Sequence, residues 1–219
     1  MAKKEKNVEL QDNELDVQIN KGEEFVQKNQ KMIFGVCAAI VVAVAAIWGW
    51  NKLSDSKNAS AQNEMWEAQA LFDQGQYEQA LAGFEAVADE YGSTKAGNLA
   101  KAYAGLCQKN LGNFEEAVKL LDDYDGNDNV VAPAILSAMG DCLVNMENAD
   151  NKKAADTFMK AAKAADNAQY SPLYLKKAGL AYEAAGDNEA AAKAYQAIKD
   201  NWAETTLAQT IDKYIERVK

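Results

Sequence analysis

Residues 64–90 read EMWEAQALFDQGQYEQALAGFEAVADE. The segment divides at Gln74-Gly75, because a glycine can take the left-handed conformation that ends a helix without a Cβ penalty. After the break, Ala80, Leu81, Phe84 and Val87 recur at helical spacing and mark one apolar face. The small Ala80 is placed to meet Ala68 on the preceding helix, and two small residues let helices approach closely. The stretch therefore reads as two amphipathic helices joined by a short turn.

The unit recurs with a period of thirty-seven residues. Ala80, Ala117, Ala154 and Ala191 stand at that interval, each followed four residues later by Phe84, Leu121, Phe158 or Tyr195. Five residues before each alanine comes Gly75, Gly112, Ala149 or Gly186. In an alanine-rich chain one alanine column means little, but small, turn-forming and bulky columns in step define a repeat. The packing partners expected of Ala117, Ala154 and Ala191 are Gly105, Cys142 and Gly179. After the fourth unit, Leu207, Ile211, Tyr214, Ile215 and Val218 share a helical face, as an element covering the last exposed core would require.

Composition narrows the chemistry. The 219 residues carry a net charge of −10 and include only two prolines, which suits a chain helical throughout and repels nucleic acid. There is no histidine, and the three cysteines are far apart at Cys37, Cys107 and Cys142. Histidine-dependent triads and four-thiolate zinc sites are thereby excluded, and no GxxxxGK[ST] or GxGxxG loop is present. The sequence offers no catalytic, cofactor-binding or metal-binding residues, so the expectation is a protein that is not an enzyme.

Residues 32–50, MIFGVCAAIVVAVAAIWGW, contain no charged side chain and would reach roughly 28 Å as a helix, near the thickness of a bilayer's hydrocarbon core. Lys21, Lys28 and Lys31 precede the run, while only Lys52 and Lys57 closely follow it, which favours a cytoplasmic N-terminus. Trp48 and Trp50 would then lie in the outer interfacial belt. Ala59-Ser60-Ala61 has the small residues of a signal cleavage site but lies too far beyond the apolar run. Within the run, Gly35, Ala39, Ala43 and Ala46 form a row of small residues that would admit another transmembrane helix. The expected layout is a cytoplasmic tail (1–31), a transmembrane helix (32–50), a linker (51–60), a repeat domain (61–203) and a capping helix (204–219).

The segments LFDQGQYEQALAGFEAV, CQKNLGNFEEAVKLL and AYEAAGDNEAAAKAYQAI resemble tetratricopeptide repeats (TPRs). The third unit, with Ala149 in place of the turn glycine, departs most. The resemblance implies an all-α fold: one N-terminal transmembrane helix, then a TPR-like α-solenoid of about four helix pairs with a C-terminal capping helix. It also implies protein binding on a concave surface lined by the first helix of each pair. Projected onto this chain, the family's lining positions give Met65, Phe72, Leu99, Leu106, Leu136, Met139, Leu143, Met146, Leu173 and Leu180 as a peptide groove. Gln62, Gln69, Lys109, Asn110, Glu147 and Lys176 fall there too. Leu and Met at helical spacing also fit a core face, and a register shift of one position moves half of them inside.

The order of parts, from a charged tail through GEEFVQKNQKMIFGV into one span and a small TPR domain, is similar to the YfgM-like ancillary subunit of the bacterial Sec translocon. That resemblance implies a single-pass type II protein of the bacterial inner membrane with its repeats in the periplasm. Its expected partners are Sec translocon subunits and a membrane-anchored prolyl-isomerase-like chaperone. The alternative is a TPR scaffold for another envelope complex, in cell-wall synthesis, division or outer-membrane assembly.

Overall fold

The computed structural model describes residues 28–219. Residues 1–27, most of the expected cytoplasmic tail, lie outside the described residues, as do the side chains of Ile33, Phe34, Cys37 and Ala38. The chain forms two compact units, Met1–Ser54 and Asp55–Lys219.

Helix α1 runs from Gln30 to Asp73. With no glycine or proline between Asn51 and Gln74, nothing interrupts it, and the expected linker, residues 51–60, is helical. In the first unit, Met32, Val36, Ile40, Val41, Val42, Val44, Ile47, Trp48 and Trp50 are all exposed. At about 100° per residue those positions circle the helix, leaving it no polar side to turn toward water. Gly35, Ala39, Ala43 and Ala46 are exposed as well, with open space where a Gly35 Cβ would stand. Among the described residues, no helix is long and apolar enough to cross a membrane. The four side chains outside the description all fall within the run 32–50, so the described residues present that run only in pieces.

The second unit is a succession of helix pairs. The end of α1 pairs with α2 (Tyr77–Tyr91). Then α3 (Lys95–Asn110) pairs with α4 (Phe114–Asp122), α5 (Val131–Asn145) with α6 (Asn151–Ala165), and α7 (Ser171–Ala184) with α8 (Asn188–Asn201). Two short helices follow, α9 (Thr206–Thr210) and α10 (Asp212–Arg217). From α2 onward each long helix packs on the next, and no strand occurs among the described residues.

The packing follows the repeat columns. Ala80, Ala117, Ala154 and Ala191 are fully buried, and Phe84, Leu121, Phe158 and Tyr195 are buried beside them. The partner helices are small where these residues press closest. A Cβ on Gly179 would run into the Tyr195 ring, one on Gly140 would lie 2.6 Å from the Phe158 ring, and one on Gly105 2.8 Å from Leu121. Phe84 stacks on Tyr103 with ring centroids 4.9 Å apart, and Phe72 packs edge-on against both rings.

Three of the four turns use the glycine column. Gly75, Gly112 and Gly186 have φ of 75°, 84° and 76°. Each is followed by an amide that donates back to the helix, as from Gln76 to the Leu71 carbonyl and from Asp187 to the Tyr182 carbonyl, both at 2.9 Å. Ala149 cannot take that conformation cheaply, and the third unit turns differently: α5 ends at an extended Met146 with ψ of 151°. Asp150 then caps α6 by accepting from the Lys153 amide at 2.9 Å. Thirty-seven residues on, Asp187 caps α8 the same way, accepting from Ala190 at 3.0 Å.

The final stripe serves as a cap, though in two helices broken at Ile211 rather than one. Ile211, Ile215 and Val218 are buried with Tyr195 and Ile198 of α8, and Leu207 and Tyr214 pack partly against them. Arg217 holds this end in place through Glu183 of α7 at 2.7 Å, and the Tyr195 hydroxyl donates to the same carboxylate.

Candidate functional site

The groove projected from family positions is not one surface. Met65, Met139 and Leu143 belong to the core, with Met65 only 2% exposed. Phe72, Leu99, Leu106, Leu136 and Met146 are half-buried and packed against core clusters. Only Leu173 and Leu180 of the ten are exposed, at 50% and 41%.

The open face lies one residue further along. A 270 Å³ cleft is lined by Trp66, Gln69, Ala70 and Asp73 of α1 together with Tyr103 of α3. A second, of 190 Å³, is lined by Lys177, Leu180, Ala181 and Ala184 of α7, by Asp141, Val144 and Asn145 of α5, and by Phe158. The four α7 positions are those of α1 advanced by 111 residues, three periods of thirty-seven. Projection from the family puts 62, 65, 69 and 72 on this face, where the structure has 66, 69, 70 and 73. One residue rotates a helix by about 100°, enough to exchange core for surface. The first unit offers no helix start from which to count, because its first helix is the tail of α1.

Between the clefts, polar contacts link successive first helices. Lys177 Nζ lies 2.9 Å from both oxygens of Asp141 and 3.1 Å from Ser137 Oγ, and sits 5.3 Å from the centre of the Phe158 ring. Lys109 of α3 reaches the same carboxylate at 3.9 Å. The strip continues onto the cap, where Tyr214 stands thirty-seven residues after Lys177. Its ring is approached by Lys176 and Arg217 at 4.9 Å and by Lys213 at 5.3 Å. A hydrogen bond from Lys176, aided by the charges of Lys213 and Arg217, lowers the Tyr214 pKa below the usual phenol value. Burial works against ionised Glu183, but the hydrogen bonds from Arg217 and Tyr195 outweigh it and hold the carboxyl below its ordinary value.

Sequence reasoning missed Trp66, which is 74% exposed, and the aromatic–cation column Trp66, Tyr103, Lys177 and Tyr214. The thirty-seven-residue spacing of those four, broken only by Gly140, was the available signal. Cys107 and Cys142 are buried and unbridged, and burial pushes both thiols up to about 11, which makes them poor nucleophiles. No group of residues suited to a metal ion occurs among the described residues. Both clefts fall below the ~300 Å³ where small-molecule sites begin, so they suit side chains of a bound polypeptide.

Comparison with known proteins agrees with this geometry. The tetratricopeptide repeat family profile matches residues 64–94 and 175–205, two segments 111 residues apart and so in the same register of the thirty-seven-residue period. No curated protein matches the chain. Among solved structures, a Podosopora anserina "putative kinesin light chain" with nearly identical TPR-like repeats is similar at a TM-score of 0.57 and 14% identity, covering 74% of this chain and 86% of that one. A point variant of that same protein is similar at a TM-score of 0.56 and 15% identity, covering 74% of this chain and 85% of the variant. At such identity the likeness concerns the fold alone. Two segments of the chain match the tetratricopeptide repeat profile, and its second unit has an all-α, TPR-like solenoid fold.

Proposed function

We propose that the protein is a membrane-anchored polypeptide-binding module, using the strip from Trp66 to Tyr214 to hold segments of other proteins. The observation that carries this reading is the recurrence of a side-chain-sized cleft at one register, three repeats apart. The anchor is the run 32–50, whose described large apolar side chains are exposed. Lipid is the solvent that suits such a helix. The row Gly35, Ala39, Ala43 and Ala46 would be where a neighbouring membrane helix docks.

In its specific form, the protein sits in the inner membrane of a bacterium with its repeats in the periplasm. It receives polypeptides from the Sec translocon and passes them to periplasmic chaperones. The resemblance in order of parts supports this, as does a strip that offers aromatic and apolar anchors without a catalytic constellation. Photocrosslinking amino acids placed at Trp66 and Leu180 in the full chain test it. Adducts with translocon subunits and exported polypeptides are expected. Adducts only with division, cell-wall or outer-membrane assembly proteins would move the protein to a different envelope complex.

A further inference from the structure

The strip is electrically lopsided. At its N-terminal end Asp73 lines the first cleft, and Glu67 stands next to Trp66 on α1. At its C-terminal end stand Lys176, Lys177, Lys213 and Arg217; Asp212 and Glu216 of the cap are paired with Lys199 and Lys219, which leaves two carboxylates, Asp141 and Glu183. Those two are already used: Asp141 by Lys177 and Lys109, and Glu183 by Arg217. Lys176 and Lys213 make no ion pair among the described residues, and both are gathered around Tyr214. A chain of net charge −10 has carboxylates in excess, yet those nearest, Glu183, Asp212 and Glu216, pair with Arg217, Lys199 and Lys219 instead. Beside them, Leu173 and Leu180 are exposed on α7, and Leu180 forms one wall of the 190 Å³ cleft floored by Phe158.

From this juxtaposition we infer that the α7–cap end of the strip is a subsite for an acidic, amphipathic polypeptide segment. One large apolar side chain enters the cleft beside Val144 and Leu180, and a neighbouring Asp or Glu pairs with Lys176 and Lys213 over Tyr214. The inference rests on the strip being the binding surface, and it adds the chemistry and direction of the ligand. Carboxylates are drawn to the Tyr214 end and repelled from Asp73, so the segment lies in one orientation. Charge complementarity of this kind selects partners and register more than it adds affinity.

The test uses the full chain in a neutral detergent and two fluorescein-labelled peptides with the same leucines, one interspersed with Glu and one with Lys. Fluorescence anisotropy should show the Glu peptide binding about tenfold tighter, with the advantage shrinking as salt rises, because two partly solvated charge pairs supply about that much. The double variant Lys176→Glu/Lys213→Glu should abolish the preference with an unchanged melting curve. The neutral pair Lys176→Gln/Lys213→Gln should reduce it, which guards against misfolding of the reversal. Equal binding of both peptides, or a preference that survives both variants, overturns the inference while leaving the strip as a binding surface. Binding of neither peptide, with no adducts from Leu180, would sink the surface itself. Salt-sensitive attachment to phosphatidylglycerol vesicles that vanishes in the double variant, without peptide preference, would assign the lysines to lipid and also overturn it.

Discussion

Two columns run along the first helices of the repeats, two residues apart, and they behave in opposite ways. Ala68, Gly105, Cys142 and Gly179 face inward and are buried, and each is small. Trp66, Tyr103, Gly140 and Lys177, continued by Tyr214, follow the strip, and no two neighbours are alike. In the first column a Cβ on Gly105 or Gly179 would meet Leu121 or Tyr195, so the bulky ladder limits size at those two positions, while in the third repeat it is Gly140 that meets Phe158. The second is mixed: Trp66 stands open and Lys177 lines a cleft. Tyr103 stacks on Phe84 at the edge of the first cleft and Gly140 is buried against the Phe158 ring, so only the open members are free to differ. Uniformity marks what the fold needs, and variety marks what a ligand can read.

The sharpest way to break that contrast is to enlarge the uniform column. Gly179→Leu would force new atoms into the Tyr195 ring, which already leaves no room for a Cβ at that position. It should destabilise the repeat unit by on the order of 3 kcal/mol, read as a lower urea midpoint. A midpoint unchanged within error would mean the helices are not held at this separation.

The turns give the next effect. Gly186→Ala should cost about 1–2 kcal/mol, since φ of 76° strains any residue with a Cβ. The matching change Ala149→Gly should bring no gain, because the third unit turns through an extended Met146 instead. If Ala149→Gly stabilised the protein, that turn would be using the glycine conformation after all.

The ion pair that ties down the cap yields a smaller, pH-dependent effect. The Glu183 pKa is lowered in the folded state, so its contribution is present above the unfolded value near ~4.3 and is lost as pH falls through the folded value. With the carboxylate partly exposed, Glu183→Gln should cost about 1 kcal/mol or less near neutrality. The difference from the parent should shrink on acidification. A gap that widened instead would contradict the assigned direction.

The smallest stability effects belong to the varied column. Trp66→Ala should change folding free energy by about 0.5 kcal/mol or less, because the side chain stands largely in solvent, and Leu180→Ala, more than half covered beside the strip, by about 1 kcal/mol. Their effect should appear in binding instead.

The same contrast explains what the sequence reveals. Repeated packing leaves repeated residues, so the alanine, bulky and glycine columns disclose four units and their register from the sequence alone. The cap is equally legible, since Ile211, Ile215 and Val218 have no other apolar face to join. The proposed binding face is not, because it carries no repeated residue, and counting from an indefinite helix start shifts the projected positions against the clefts. That error turns Met65 and Met139, both core, into groove residues and passes over Trp66. The third turn escapes too, since Ala149 announces that the usual turn is missing without specifying its replacement.

A photocrosslinking scan of the full chain in cells, with the reactive group placed in turn at Trp66, Gln69, Leu180 and Tyr214 and, as controls, at the outward positions Lys119 and Lys160, tests the central claim most directly. The account predicts polypeptide adducts from the four strip positions and few from the two controls. Adducts confined to the controls, or spread evenly over all six, would contradict the strip as the binding surface.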